Sequence, residues 1–188
     1  EYAVAMHTRA DAQDESHGRS LRLQAILHLV AAESAHALQD QTLRDKHFLQ
    51  ATELLDIPEV SGTQEGFFMR AARWALDDHD APAAAQWLER LPQGAARRTV
   101  ALRLRFRVAR MQGENAVALE TVRLLVKHRA ISASSGASIS QALALELLLA
   151  GQDTSQILAA WDYLDEEECK LPDVALGMVQ HWLAKGGD

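Results

Sequence analysis

The chain holds one cysteine, Cys169, so it can build neither a disulfide framework nor a cysteine-rich zinc or iron–sulfur site. No run approaches about 18 uninterrupted apolar residues, which argues against a segment that spans a membrane. Positive charge is in deficit. Lys and Arg number 19 against 26 Asp and Glu, for a net charge of −7, which argues against a general nucleic-acid binder. Motifs are missing too. There is no phosphate-cradling glycine loop, no dinucleotide fingerprint, no zinc spacing and no Ser/His/Asp nucleophile pattern, so the expectation is a protein that is not an enzyme. Four prolines and ten glycines are few for 188 residues. What fills the chain instead is Ala, Leu, Arg and Glu, with 48% apolar residues, enough for a sizeable core and the vocabulary of helices.

The chain opens on Glu1 without a leader and closes on Lys185, Gly186, Gly187 and Asp188, which reads as a cut through a turn. The sequence is therefore expected to be a piece of a longer protein.

Short polar turns recur along it. Anchored on Gln41, Asp80, Asn115, Asp153 and Asp188, they are spaced by 39, 35, 38 and 35 residues. Pro58 and Pro92, each after an apolar residue, lie 34 apart, and Leu171-Pro172 repeats the pattern. Trp74 and Trp182 each precede an anchor by six residues. The pattern predicts a helix on either side of each anchor. The pairs cover about 18–56, 64–91, 95–128 and 136–165, and an unpaired helix 173–185 follows. Asp80, Asn115 and Asp153 are the expected N-caps of the second helices. The serine-rich stretch from Ile131 to Ser140 reads as a long connection. In helix 95–111, Val100, Leu104, Val108 and Met111 form one apolar stripe, and Leu102, Phe106 and Ala109 a second. Two stripes suit a helix that packs against both its partner and a neighbouring repeat.

The expected fold is all-α: a single helical-repeat domain over 1–188, as a tetratricopeptide-like right-handed superhelix of about four and a half helix pairs. HEAT repeats are the alternative, at a longer period.

Two segments resemble a known family. One runs from Ala35 through His36, Asp40, Leu43, Arg44 and Phe48 to Ala51; the other runs from Ala83 through Trp87 and Glu89 to Pro92, followed by the arginine-rich helix. Both are similar to the HemY-type tetratricopeptide proteins of proteobacteria, which are associated with haem biosynthesis. The resemblance implies attachment to the inner membrane through N-terminal helices that this chain does not contain. It also implies a soluble repeat domain on the cytoplasmic face, acting in late haem or porphyrin biosynthesis through protein partners, with haem-pathway enzymes the expected ones.

Charge comes in blocks. Residues 1–66 carry 5 basic and 11 acidic side chains, residues 67–130 carry 12 and 6, and residues 131–188 carry 2 and 9. A basic middle suits an acidic partner. Arg103, Arg107 and Arg110 recur at one edge of helix 95–111, with Arg98 and Arg105 on a second edge. These five are the candidate partner-binding residues; the competing reading is a solvated face paired with Glu89, Glu114 and Glu120. No catalytic, cofactor or metal residue is assigned. A haem or porphyrin carrier or sensor is the alternative function, with His181 beside Trp182 as a possible cap on a tetrapyrrole. His28 and His36, eight apart, are too distant for one mononuclear site. The run Asp165 to Glu168 reads as a solvated charge run, and Cys169 beside it as an unactivated thiol. The apolar stripe Leu176, Val179, Trp182 and Leu183 predicts either self-association through helix 173–185 or packing back onto the preceding pair.

Overall fold

The computed structural model describes residues 2–55, 64–151 and 154–184, with side chains from Ser16 onward except that of Thr154. All regular structure among the described residues is helical. In chain order the helices are α1 (Tyr2–Ala37), α2 (Gln41–Leu55), α3 (Gln64–Asp77), α4 (Ala81–Glu89), α5 (Gln93–Ala96), α6 (Thr99–Gln112), α7 (Asn115–Lys127), α8 (Ala133–Ala150), α9 (Thr154–Tyr163), α10 (Glu166–Cys169) and α11 (Pro172–Ala184). Packing follows chain order. α1 pairs with α2, α3 with α4 and α6 with α7; α6 is also reached by α3 and α4, α8 lies against α7 and α9, and α11 returns onto α8.

Four turns share one geometry, and it explains where the helices stop. Gln39, His79, Gly113 and Arg129 each take a left-handed backbone, with φ of 60°, 63°, 72° and 55°. The next residue's N–H then reaches back five positions: Asp40 to the Ala35 carbonyl at 2.9 Å, Asp80 to Ala75 at 2.7 Å, Glu114 to Ala109 at 2.9 Å and Ala130 to Leu125 at 2.8 Å. This is the Schellman termination, which satisfies carbonyls that the helix end would orphan. After the first two turns an aspartate starts the next helix. Asp40 accepts the Leu43 N–H at 3.0 Å, and Asp80 accepts the Ala83 N–H at 3.0 Å.

Several expected boundaries move. α1 begins at Tyr2, well before position 18, and α6 begins at Thr99 because residues 93–96 form their own short turn of helix. Asn115 is the first residue of α7 and not its cap, since its side-chain oxygen accepts from Arg110 Nη1 at 2.8 Å; Glu114 sits at the cap position without a side-chain bond. The stretch from Ile131 to Ser140 is mostly helix. Ser132 caps α8 by accepting the Ser135 N–H at 3.1 Å. Gly136 lets α8 close on α7, where a Cβ would stand 2.2 Å from Val126 Cγ2. Pro172 opens α11 at its first position, where its missing N–H costs nothing. The expected cap Asp153 and the proline Pro58 lie outside the described residues.

Two apolar clusters meet at α6. The first joins α1 to α4 with α6 through Leu29, Leu55, Phe67, Trp74, Leu88 and Leu104. Its centre is aromatic: Phe48 stacks on Phe67 at 4.7 Å between centroids, and Trp87 meets Phe48 edge-on at 5.4 Å. The second runs from Ala109 through Leu119, Val122, Leu143 and Ile157 to Val174. Ala32, Ala72, Ala84, Ala101, Ala118 and Ala144 are 0% exposed, so helices approach closely where they cross. α8 is 18 residues with a mean hydropathy of 1.2, long and apolar enough by length and composition to cross a membrane; here it packs between α7, α9 and α11. α11 folds back through Val174 and Met178, while Leu176, Val179 and Leu183 stay exposed and Trp182 keeps 40% of its surface in solvent.

The left-handed turns yield a direct test. Gly113→Ala is expected to cost about 1–2 kcal/mol, the penalty of a Cβ in that backbone region. His79→Gly removes the same strain and is expected to match or exceed the parent in urea unfolding. A marked loss of stability in His79→Gly would show that its side chain, not the turn, governs that position.

Candidate functional site

The arginines of α6 divide between two opposite faces. Successive helical residues advance by about 100°, which sets Arg103, Arg107 and Arg110 on one edge and Arg105, Val108 and Gln112 on the other. On the first edge every guanidinium has a partner. Arg103 Nη2 donates to the Ala130 carbonyl at 3.0 Å, in the turn before α8. Arg107 Nη2 meets Asp77 Oδ1 at 3.0 Å, at the end of α3. Arg110 spans both oxygens of Glu146 on α8 while also holding Asn115. Its hydrogen bonds keep the Glu146 carboxyl below the ordinary carboxylate range, and Glu146 in turn raises Arg110. Arg98, just before α6, pairs with Glu65 of α3 at 2.7 Å.

The edge is one section of a longer ladder. Glu33 of α1 accepts from Arg70 at 3.0 Å and from Arg73 at 2.5 Å, both on α3. Burial would raise Glu33, but the two arginines outweigh it and hold its carboxyl low. Arg44 of α2 reaches Asp78 at 2.5 Å, and His36 Nε2 lies 3.6 Å from Asp77. His36, Arg44, Asp77 and Asp78 thereby line a polar recess of about 450 Å³. The ladder's charged ends remain partly exposed, with the Arg107 side chain 46% and that of Arg110 38% accessible.

On the opposite face of α6 lies an open groove of about 470 Å³. α4 forms one wall with Ala85, Leu88 and Glu89, and α7 forms the other with Val117, Glu120 and Leu124. Arg105 and Val108 supply the floor, Glu114 lies at the rim, and Tyr163 closes one end. Tyr163 is pinned there by donating its hydroxyl to the Ala116 carbonyl at 3.1 Å.

The sequence reading missed a further pair. Glu168 is 5% exposed and so does not belong to a solvated charge run. Arg123 of α7 grips both of its oxygens, Nε to Oε1 at 3.0 Å and Nη2 to Oε2. The same carboxylate accepts the Asp165 N–H at 3.0 Å, while Asp165 accepts the Glu168 N–H at 2.9 Å. That reciprocal capping box was legible, since an acidic cap with Glu three residues later is its signature. The arginine 45 residues away was not. Glu166 and Glu167 are exposed and pair with Lys170. Beside them burial, then Asp165 and Glu168, pushes the Cys169 thiol up, away from the reactive thiolate.

The histidines are scattered. His28 and His47 face each other across α1 and α2, Nδ1 to Nδ1 at 3.1 Å. His181 lies beside Leu145, Leu149 and Met178 in a cleft of about 320 Å³, its Nε2 buried without a hydrogen-bond partner. Among the described residues no group of three or more His, Cys, Asp or Glu side chains is arranged to hold a metal ion. No family model, curated protein or solved structure matches the chain.

The Arg123–Glu168 pair gives the clearest stability test. Glu168→Ala strips a half-buried guanidinium of its main partner and removes half of the capping box, so it is expected to cost about 3 kcal/mol. Glu166→Ala, on the exposed side of the same turn, is expected to leave the denaturant midpoint unchanged. Equal midpoints for the two variants would overturn the assignment.

Proposed function

We propose that this chain is a non-catalytic scaffold of the tetratricopeptide type that presents its surfaces to other proteins. One observation carries the reading. Among the described residues the main helix contacts are between near neighbours in the chain, and ion pairs join successive first helices from α1 through α3 and α6 to α8. Such an array has long faces and little enclosed volume, which suits extended or helical protein ligands. The segments around Ala35 to Ala51 and Ala83 to Pro92 support the finer reading. In it the chain is a HemY-type repeat domain at the cytoplasmic face of the inner membrane, serving late haem or porphyrin biosynthesis through haem-pathway enzymes. The exposed stripe on α11 is a further surface open to a second copy.

The arginine edge of α6 is the proposed contact for an acidic partner, and the ladder dictates how to test it. Reversing Arg107 or Arg110 to glutamate would set like charges against Asp77 and Glu146 and disturb the fold itself. Neutral substitution avoids that. Arg103→Gln, Arg107→Gln and Arg110→Gln together are expected to keep the circular dichroism spectrum and to abolish recovery of terminal haem-pathway enzymes in a pull-down from native membranes. Exposed pairs contribute only about 0–1 kcal/mol each, so the triple change is needed. Recovery with unchanged salt dependence would remove the edge from the interface.

His181 favours a second reading, as a tetrapyrrole carrier or sensor, because it lines a cleft beside Met178 and its Nε2 has no hydrogen-bond partner. Hemin titration is then expected to give a saturable Soret shift that His181→Ala abolishes. A shift that survives the substitution would end that reading.

A further inference from the structure

The groove opposite the arginine ladder combines exposed apolar surface with charge that the fold does not use. Val117, Leu124 and Tyr163 expose 50%, 41% and 39% of their surface around one trough, although side chains of this kind are ordinarily buried. The charges beside them are left unpaired: among the described residues Glu89 on the α4 wall, Glu114 at the start of α7 and Arg105 on the floor make no ion pair and no side-chain hydrogen bond. This contrasts with the opposite edge of the same helix, where Arg103, Arg107 and Arg110 are all engaged.

We propose that this groove docks an amphipathic helix of a partner protein, one whose apolar stripe is flanked by lysine or arginine and interrupted by a single carboxylate. The apolar side chains would cover Val117, Leu124 and Tyr163. The flanking cations would meet Glu89 and Glu114 on the two walls, and the carboxylate would meet Arg105 beneath. Groove recognition of this kind reads anchors at one-turn spacing and takes its orientation from the rim charges. The proposal rests on the scaffold reading and names the chemistry of one of its partners.

The test uses two synthetic helical peptides, each built on one leucine stripe. The first carries flanking lysines and one central glutamate; the second exchanges every charge for its opposite. Fluorescence anisotropy with the whole chain is expected to show the first binding roughly tenfold more tightly than the second, in line with two or three exposed pairs. Glu89→Gln with Glu114→Gln is expected to erase that difference. Glu166→Gln with Glu167→Gln, an equal change of net charge elsewhere, is expected to preserve it, and Val117→Asp to weaken both peptides. Equal binding of the two peptides overturns the proposal, as does an equal effect of the two glutamine pairs. A dimer of the chain that Val117→Asp dissociates also overturns it, because the occupant is then a second copy. If the peptides fail but haem-pathway enzymes are still captured in the pull-down, the groove assignment falls and the scaffold reading stands.

Discussion

Everything in this array depends on α6 serving two hydrophobic cores at once. Ala101, Leu104 and Val108 belong to the cluster shared with α1 to α4, whereas Ala109 and the half-buried Phe106 turn towards α7 and α8. A helix with two apolar stripes has only narrow polar sectors left. One of them carries Arg103, Arg107 and Arg110, and the other carries Arg105 and Gln112. The role of each arginine follows from that allocation, not from its charge alone. Ala101 and Ala109, at 0% and 1% exposure, show why small residues are needed where a helix is packed from both sides.

The turns and helix pairs were legible because their causes are local. Asp80 three residues before Ala83, or Gly113 after Gln112, acts within one turn of chain, and a sequence window contains the whole cause. Where the reading slipped, a distant or competing partner had intervened. Asn115 looks like a cap but is occupied by Arg110, and the serines after Ile131 look like a loop but cap and begin α8. His79 in a left-handed backbone carries no glycine to announce it. Its place became visible only through the N–H of Asp80 reaching back to Ala75.

The charge blocks have a physical origin that composition could not disclose. Ion-paired residues stand 37 and 40 positions apart for Glu33 with Arg70 and Arg73, 30 for Asp77 with Arg107, 36 for Arg110 with Glu146 and 45 for Arg123 with Glu168. These separations run from 30 to 45 residues, so each pair joins helices that are not consecutive in the chain. Glu33, Arg110 and Arg123 each pair across a boundary between an acidic and a basic block, whereas Asp77 and Arg107 both lie in the basic one. The acidic partners of Arg98, Arg107 and Arg110 lie on α3 and α8, beyond the reach of a helical wheel, and Arg105 has none among the described residues.

Exposed ion pairs are weak individually, contributing about 0–1 kcal/mol each, so the ladder adds little to stability in proportion to its size. Its larger effect is on register. Sliding α6 by one turn against α3 would carry Arg107 away from Asp77 and bring Arg103 towards it, leaving Arg110 without Glu146 and the Ala130 carbonyl without its donor. The apolar stripes, with Leu104 and Val108 one turn apart, discriminate poorly against that slip. Charge does so with specificity, because the penalty of an unmatched carboxylate appears only in the wrong arrangement. Pairs that hold hairpins in register are bound to residues of the same chain, and a partner must compete with them. On the groove face Glu120 is held by Arg123, but Arg105, Glu89 and Glu114 have no such competitor among the described residues. Arg105, Glu89 and Glu114 contribute nothing to register, and their charge is left to whatever covers Val117 and Leu124.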